Sequence, residues 1–258
     1  ILKELYSPFL RTGKPFLVMS RRSAEMTKFA TNAMLAARIS LMNQLADICV
    51  ACGADIADIR EVLAADDRIG PTFLFPGLGY GGFGLPKDLA TCAKLAHDHG
   101  LACDVIEAVA AVNERRQRGF LEQILAHYGS DLAGKRIAVW GASFKPRTDD
   151  LRGAPAVRII QGLLDAGATV SVYDPVAGDK VRERFGQRVA TPKRYYDTLE
   201  GAHGLVIVTE WNEFRRPDYA RMASLMAEKV IFDGRNLYTL KTMRDHGFRY
   251  YSVGRPTV

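Results

Sequence analysis

Apolar residues recur at helical spacing from residue 24 to residue 52, a stretch with no Gly and no Pro. Ser23 ahead of it is an N-terminal helix signal, and Gly53 is a natural stop. At 1.5 Å per residue such a helix runs about 40 Å, the dimension of a domain connector or a dimer core. The same periodicity predicts further helices over residues 56–65, from Lys87-Asp88 to about 99, and over 104–128. Upstream, residues 15–19 (Pro-Phe-Leu-Val-Met) predict a short strand. Residues 1–8 read as the end of a helix running into a loop, so a preceding segment is expected.

Beyond about residue 130 the pattern changes. Short buried runs at 135–141, 169–174, 204–209 and 229–233 read as strands, and 154–166 as a helix. Strands alternating with helices indicate a doubly wound parallel sheet. The expected fold is therefore α/β: a helical block over 23–130 with a long connecting helix, then a Rossmann-like domain over 131–258.

Between helices lies residues 70–86, with six glycines and three prolines in seventeen residues. That composition predicts a loop of fixed conformation, placed at a site.

Composition narrows the chemistry only slightly. The formal net charge of +6 and pI near 9.2 suit a mildly basic surface or a site for an anionic ligand such as a nucleotide. No long Lys/Arg run and no zinc-finger or RNP-like motif points to nucleic acid. Cys49 and Cys52 form C-x-x-C inside a predicted helix, without a second pair at metal spacing. They and Cys92 and Cys103 read as free thiols of a reducing compartment, and no metal site is expected. No apolar run approaches the roughly 18 residues of a membrane span, and no signal peptide is seen. A cytoplasmic protein without membrane contact is the expectation.

Two groups of residues carry candidate chemistry. The first strand of the Rossmann-like domain leads into Gly141-Ala-Ser-Phe144-Lys145, where a dinucleotide turn needs G-x-G-x-x-G. Only Gly141 matches, although Asp174 ends the second strand where a ribose-binding acid sits. A domain adapted to another nucleotide is the better reading. Lys145 and Arg152, just past the strand's carboxyl end, suit a phosphate, or are solvated charges. On the long helix, Lys28 and Asn32 are spaced i, i+4 and share a face. They suit an oxyanion or an ordered water, or form a surface polar pair.

Taken in order, four segments resemble the UDP-glucose 6-dehydrogenase family, within the wider UDP-glucose/GDP-mannose dehydrogenases. They are Glu25-x-x-Lys28-x-x-x-Asn32 with Arg38-Ile-Ser and Asn43; Asp67-Arg68-Ile69-Gly70; Gly79-Tyr-Gly-Gly82-Phe83-Gly84-Leu85-Pro86-Lys87-Asp88; and Phe144-Lys145 with Thr148-Asp-Asp150-Leu-Arg152 and Phe232-Asp233-Gly234-Arg235-Asn236. The Pro-Lys-Asp ending of the third resembles the UDP-glucose branch more than the UDP-N-acetylhexosamine branch.

The resemblance implies a two-step oxidation of a nucleotide sugar at C6, alcohol to carboxylate, with two NAD reduced and a cysteine thiolate capturing the intermediate aldehyde. It assigns Lys28 and Asn32 to the oxyanion and water, and Asp88 to orienting them or acting as base. Arg68 reaches the substrate from a partner subunit. The loop Phe73, Leu74, Phe75, Pro76 and Gly77, with Gly81, cradles UDP-glucose or UDP-glucuronate through its backbone. Lys145 and Arg235 contact the substrate, Lys87 and Arg152 face NAD, and the long helix forms a homodimer core. Residues 1–22 become the tail of an NAD-binding domain.

Two departures qualify this. The family's cysteine position, counted back from Asp88, holds Gly84, so the thioester route is closed. The family's N-terminal NAD-binding domain is not represented in the sequence. Three readings stay open: an enzyme of this class seen in part with its cysteine replaced; a non-catalytic UDP-sugar-binding protein; and a dehydrogenase of another nucleotide sugar such as GDP-mannose.

Overall fold

The fold is that of a computed structural model, which describes residues 1–10 and 15–258. A five-residue helix, α1 (Leu2–Tyr6), opens the chain and buries none of its residues. Residues 15–19 do not form the expected strand. Leu17 and Val18 are exposed and make no pairing among the described residues, so nothing satisfies the backbone that β-structure requires.

The long helix α2 (Arg21–Cys52) begins three residues earlier than the Ser23 signal suggests. Ser20 is the cap, and its side chain accepts from the Ser23 N–H at 3.1 Å. α2 packs against α4 (Gly84–Asp98) and α5 (Asp104–Tyr128), with α3 (Ile56–Ala65) beside it. α3 and α5 have the expected bounds. α4 starts earlier than expected, taking Gly84, Leu85 and Pro86 from the glycine-rich stretch into its first turn. Pro86 is tolerated there because its missing N–H has no intrahelical partner to lose. By length and mean hydropathy of 1.3, α2 could cross a membrane, contrary to expectation. Polar residues break its apolar runs, yet the average over an 18-residue window still reaches 1.3. Three of them, Asn32, Ser40 and Asn43, are buried and hydrogen-bonded to α4, α5 and the glycine-rich loop.

The second half is β1 (Arg136–Trp140), α6 (Pro155–Asp165), β2 (Thr169–Tyr173), α7 (Gly178–Phe185), β3 (Val189–Ala190), β4 (Gly204–Ile207), α8 (Tyr219–Leu225), β5 (Val230–Asp233), α9 (Leu240–Asp245) and β6 (Arg249–Ser252). All pairings are parallel, in the order β3-β2-β1-β4-β5-β6. That is the Rossmann order, and it places a ligand crevice beyond the carboxyl ends of β1 and β4. Side-chain alternation along β1 sorts two cores. Ile137 and Val139 face Phe120 and Ile124 of α5 and Ile159 of α6, whereas Ala138 and Trp140 face Phe214, Met222 and Met243.

The first of these cores continues into the helical block through Leu78, Met42, Ala46 and Ile56. The change of texture near residue 130 is therefore a change of element type, within one hydrophobic core.

Candidate functional site

The glycine-rich loop is the seam between the two halves. Three amide side chains of the helical block hold its backbone. Asn43 Oδ1 accepts from Gly77 N at 2.8 Å; Asn113 Oδ1 accepts from Tyr80 N at 2.8 Å; Asn113 Nδ2 and Gln117 Nε2 both donate to Tyr80 O at 3.0 Å. From the other side the loop meets the backbone of the Rossmann-like domain. Leu78 N donates to Gly234 O at 3.1 Å, and any Cβ at Gly81 would overlap the carbonyl of Gly153. Gly81 is thus needed for close approach.

This seam floors a cavity of ≈ 680 Å³ at the carboxyl ends of the strands. Lys145 follows β1, Glu210 follows β4 and Arg235 follows β5, so the sheet itself delivers two cations and one carboxylate to it. Arg235 is fixed: its Nε donates to Val208 O at 2.6 Å and lies 3.2 Å from Glu210 Oε2. α2 supplies Asn32, Leu35 and Ile39, and Phe144 and Leu85 add apolar wall. In the segment 73–77, Phe73, Phe75 and Gly77 line the cavity. Leu74 between them is buried in the core, and Pro76 lines a neighbouring cavity. Leu74 is thus a core residue, with no side-chain share in the cavity. Phe73 holds φ at +58°, a left-handed conformation strained for an aromatic residue, here at the cavity wall.

Gly84 lines the same cavity as the first residue of α4. Its surroundings differ from those of Gly81. Its φ lies outside the left-handed region, and a Cβ built on it meets nothing within 4 Å. The backbone there accepts a side chain, and space exists for one. No side chain caps α4, and Pro86 contributes no N–H, so the helix presents uncapped first-turn N–H groups where such a side chain would project. None of the four free cysteines lines the cavity.

One turn on, at i+4, the buried carboxylate of Asp88 accepts from Asn32 Nδ2 and sits 3.5 Å from Lys28 Nζ. The i, i+4 pair on α2 and the i, i+4 pair on α4 therefore meet. Lys28 itself is largely exposed and reaches the site through Asp88, without lining the cavity.

Three expected site residues lie elsewhere. Arg68 pairs with Asp66 at 2.6 Å, exposed and outside the cavity. Arg152 forks onto Asp150 and lies 5.1 Å from the Phe83 ring centre, with Lys87 at 5.2 Å from the same ring. Sequence reasoning passed over Tyr80 and Glu210. Tyr80 is buried against the loop, and burial pushes its phenol up to about 12, so it is a neutral wall and donor at ordinary pH.

Family models match in two consecutive blocks. The central domain of the UDP-glucose/GDP-mannose dehydrogenase family matches residues 22–115, and its UDP binding domain matches residues 138–240. The chain belongs to the UDP-glucose/GDP-mannose dehydrogenase family. Within that family, a UDP-glucose 6-dehydrogenase of Rhizobium meliloti is 40% identical over 256 residues, 99% of this chain and 58% of the relative. Among solved structures, a UDP-glucose dehydrogenase from Pyrobaculum islandicum superposes with a TM-score of 0.86 at 32% identity, over 99% of this chain and 56% of that one. A UDP-D-ManNAc dehydrogenase from Pyrococcus horikoshii gives 0.79 at 26%, over 98% of this chain and 56% of that one. The chain thus spans somewhat under three fifths of the length of the relatives it matches. The family is one of dehydrogenases, and the chain's affiliation is with oxidoreductases.

A dehydrogenase family implies a dinucleotide, and the Rossmann-like domain here does not fit one. Asp174, at the ribose-binding place, is buried and fully used by the protein. Its Oδ2 accepts from Ala142 N, Ser143 N, Ser143 Oγ and Trp211 Nε1, and its Oδ1 from Val176 N and Ala177 N. The carboxylate ties down the turn after β1 and leaves no acceptor for a ribose. The family description of this domain as a UDP-binding one agrees with that geometry.

Proposed function

We propose that the cavity is the nucleotide-sugar site of a UDP-glucose 6-dehydrogenase, whose reaction takes UDP-glucose to UDP-glucuronate. The observation that carries this reading is the convergence of Lys145, Arg235 and Gly84 on one cavity. The two cations at the strand ends suit a diphosphate, and the apolar walls from Phe73, Phe75 and Phe144 suit a base. The sugar then extends toward α4, where the family chemistry takes place.

At that end, Asn32 and Lys28 converge on Asp88, which orients them, and the α4 amides favour negative charge. Arg68, exposed and turned from this cavity, is the residue offered to a partner subunit. NAD is the oxidant this reading calls for. This chain's share in binding it is assigned to the exposed cations Lys87 and Arg152. A covalent aldehyde intermediate needs a nucleophile, which Gly84 does not supply. As it stands the chain binds the nucleotide sugar without the covalent step, in the manner of a binding protein. The cytoplasm is the compartment that its four free thiols fit.

The test is calorimetry with UDP-glucose, UDP-N-acetylglucosamine and GDP-mannose. UDP-glucose binds most tightly on this reading, and Lys145→Ala weakens it by about tenfold, as loss of one charge-assisted hydrogen bond does. Equal binding by the Lys145→Ala protein, or preference for GDP-mannose, overturns the assignment.

A further inference from the structure

Phe75, Glu210 and Arg235 form the wall between the nucleotide cavity and a second, more enclosed cavity of ≈ 360 Å³. Four arginines line this second space, Arg60, Arg215, Arg235 and Arg255, against a single acidic residue, Glu210. Two of the four are held in place by the protein. Arg235 is held by Val208 O and Glu210, and Arg255 donates to Ser252 Oγ, Tyr238 O and Tyr250 Oη. The other two are not. Arg60 stacks over the Phe75 ring at 4.2 Å, and its buried Nε has no hydrogen-bond partner. Arg215 has no acidic partner among the described residues.

With Arg235 and Glu210 set against each other, three positive charges remain around this space, Arg255 buried, Arg60 half-buried and Arg215 at the exposed rim. Repulsion between the two inner ones is less screened than at the surface. A buried guanidinium donor without an acceptor adds a desolvation cost. An anion that accepts from Arg60 and Arg215 removes both penalties. The planar, weakly hydrated guanidinium fork fits phosphate oxygens best.

We propose that this arginine-lined cavity is a second anion site, which takes a phosphate-bearing small molecule separately from the nucleotide sugar. Phe75 and Arg235 are common to both cavities, so occupancy of one bears on the other through their shared wall.

Inorganic pyrophosphate is the probe, titrated calorimetrically into the protein in phosphate-free buffer, first alone and then after saturation with UDP. The expected result is pyrophosphate binding that survives UDP saturation. Arg60→Met and Arg215→Gln should each weaken it by about tenfold, the effect of losing a charge-assisted hydrogen bond. Arg215 is exposed, so its variant keeps the test valid if Arg60→Met disturbs α3. Lys145→Ala should leave pyrophosphate binding intact. Loss of pyrophosphate binding on UDP saturation or in Lys145→Ala places the probe in the first cavity and overturns the proposal. Full-strength binding by both arginine variants does the same. If UDP fails to bind while pyrophosphate binding still depends on Arg60 and Arg215, the nucleotide-sugar reading falls and the second site stands.

Discussion

Two glycines three residues apart behave oppositely. At Gly81 even a methyl group collides with the backbone of Gly153, whereas at Gly84 a side chain meets only space. Steric need therefore explains the first glycine and gives no account of the second. Gly84→Cys should be accommodated at little cost in stability. Its thiol would sit at the uncapped start of α4, where helix-terminal N–H groups favour the thiolate. The variant should be alkylated by iodoacetamide faster than any of the four native cysteines. Burial pushes the Cys49 and Cys103 thiols up, which slows them. UDP-glucose should protect the new thiol. Mass-spectrometric mapping of the label checks this, and a cysteine at residue 84 that is slow or unprotected removes the residue from the site.

At the scale of elements, what the sequence revealed depended on whether the signal was local. The periodic helices α3 and α5 stand where the pattern put them, and the glycine-rich loop is indeed fixed and at a cavity. The two-residue β3 and the Arg-Tyr-Tyr-Ser run of β6 escaped notice, because the first is too short and the second too polar at its ends to show a strand pattern. The 15–19 segment shows the converse error, since β-propensity without a neighbouring strand makes no strand. Site residues followed the same rule. The shared face of Lys28 and Asn32 was legible from i, i+4 spacing, and Asp88 only from the family resemblance; the structure brings the three side chains together. Asn113 and Gln117 were not, because they act on a loop more than thirty residues away and carry no spacing signature. Their role is testable. Asn113→Ala strips two hydrogen bonds from the buried Tyr80 backbone, and one unsatisfied buried group costs about 1–3 kcal/mol. Urea denaturation should report a loss of about 2–4 kcal/mol, with weaker UDP binding as the loop relaxes. A loss below about 0.5 kcal/mol, the range of surface substitutions, would show that the loop needs no such anchor.

On the scale of the whole molecule, one core and one sheet organise everything. His127 at the end of α5 packs edge-on to Tyr128, Phe232 and Tyr251, with Nδ1 2.8 Å from the Tyr251 hydroxyl. Burial, aided by Arg249, holds its pKa below the usual 6.5. The fold therefore favours neutral imidazole. That contribution is complete above about pH 6.5 and is lost as pH falls through the lower folded value. Stability should decline below about pH 6.5, and His127→Leu should flatten that decline in urea titrations at successive pH values. An unchanged slope would show that His127 does not couple folding to pH. The outer face of α2 bears on assembly. Met34, Leu41 and Ile48 are exposed and recur every seven residues, the spacing of a helix–helix seam. The homodimer that the family resemblance implies is expected to use that face. Leu41→Glu should convert it to monomer in sedimentation velocity, and a variant that remains dimeric moves the interface elsewhere.

The seam at Gly77–Tyr80 carries a kinetic consequence. Gly77 and Tyr80 lend their amide protons to α2 and α5, and Leu78 lends its own to the far domain. The loop cannot loosen on one side without losing partners on the other. Amide hydrogen exchange here is thus tied to separation of the two halves, and a segment with a linker's composition exchanges at the pace of the core. Hinge motion that admits or releases a ligand has to pivot around this line and leave it closed.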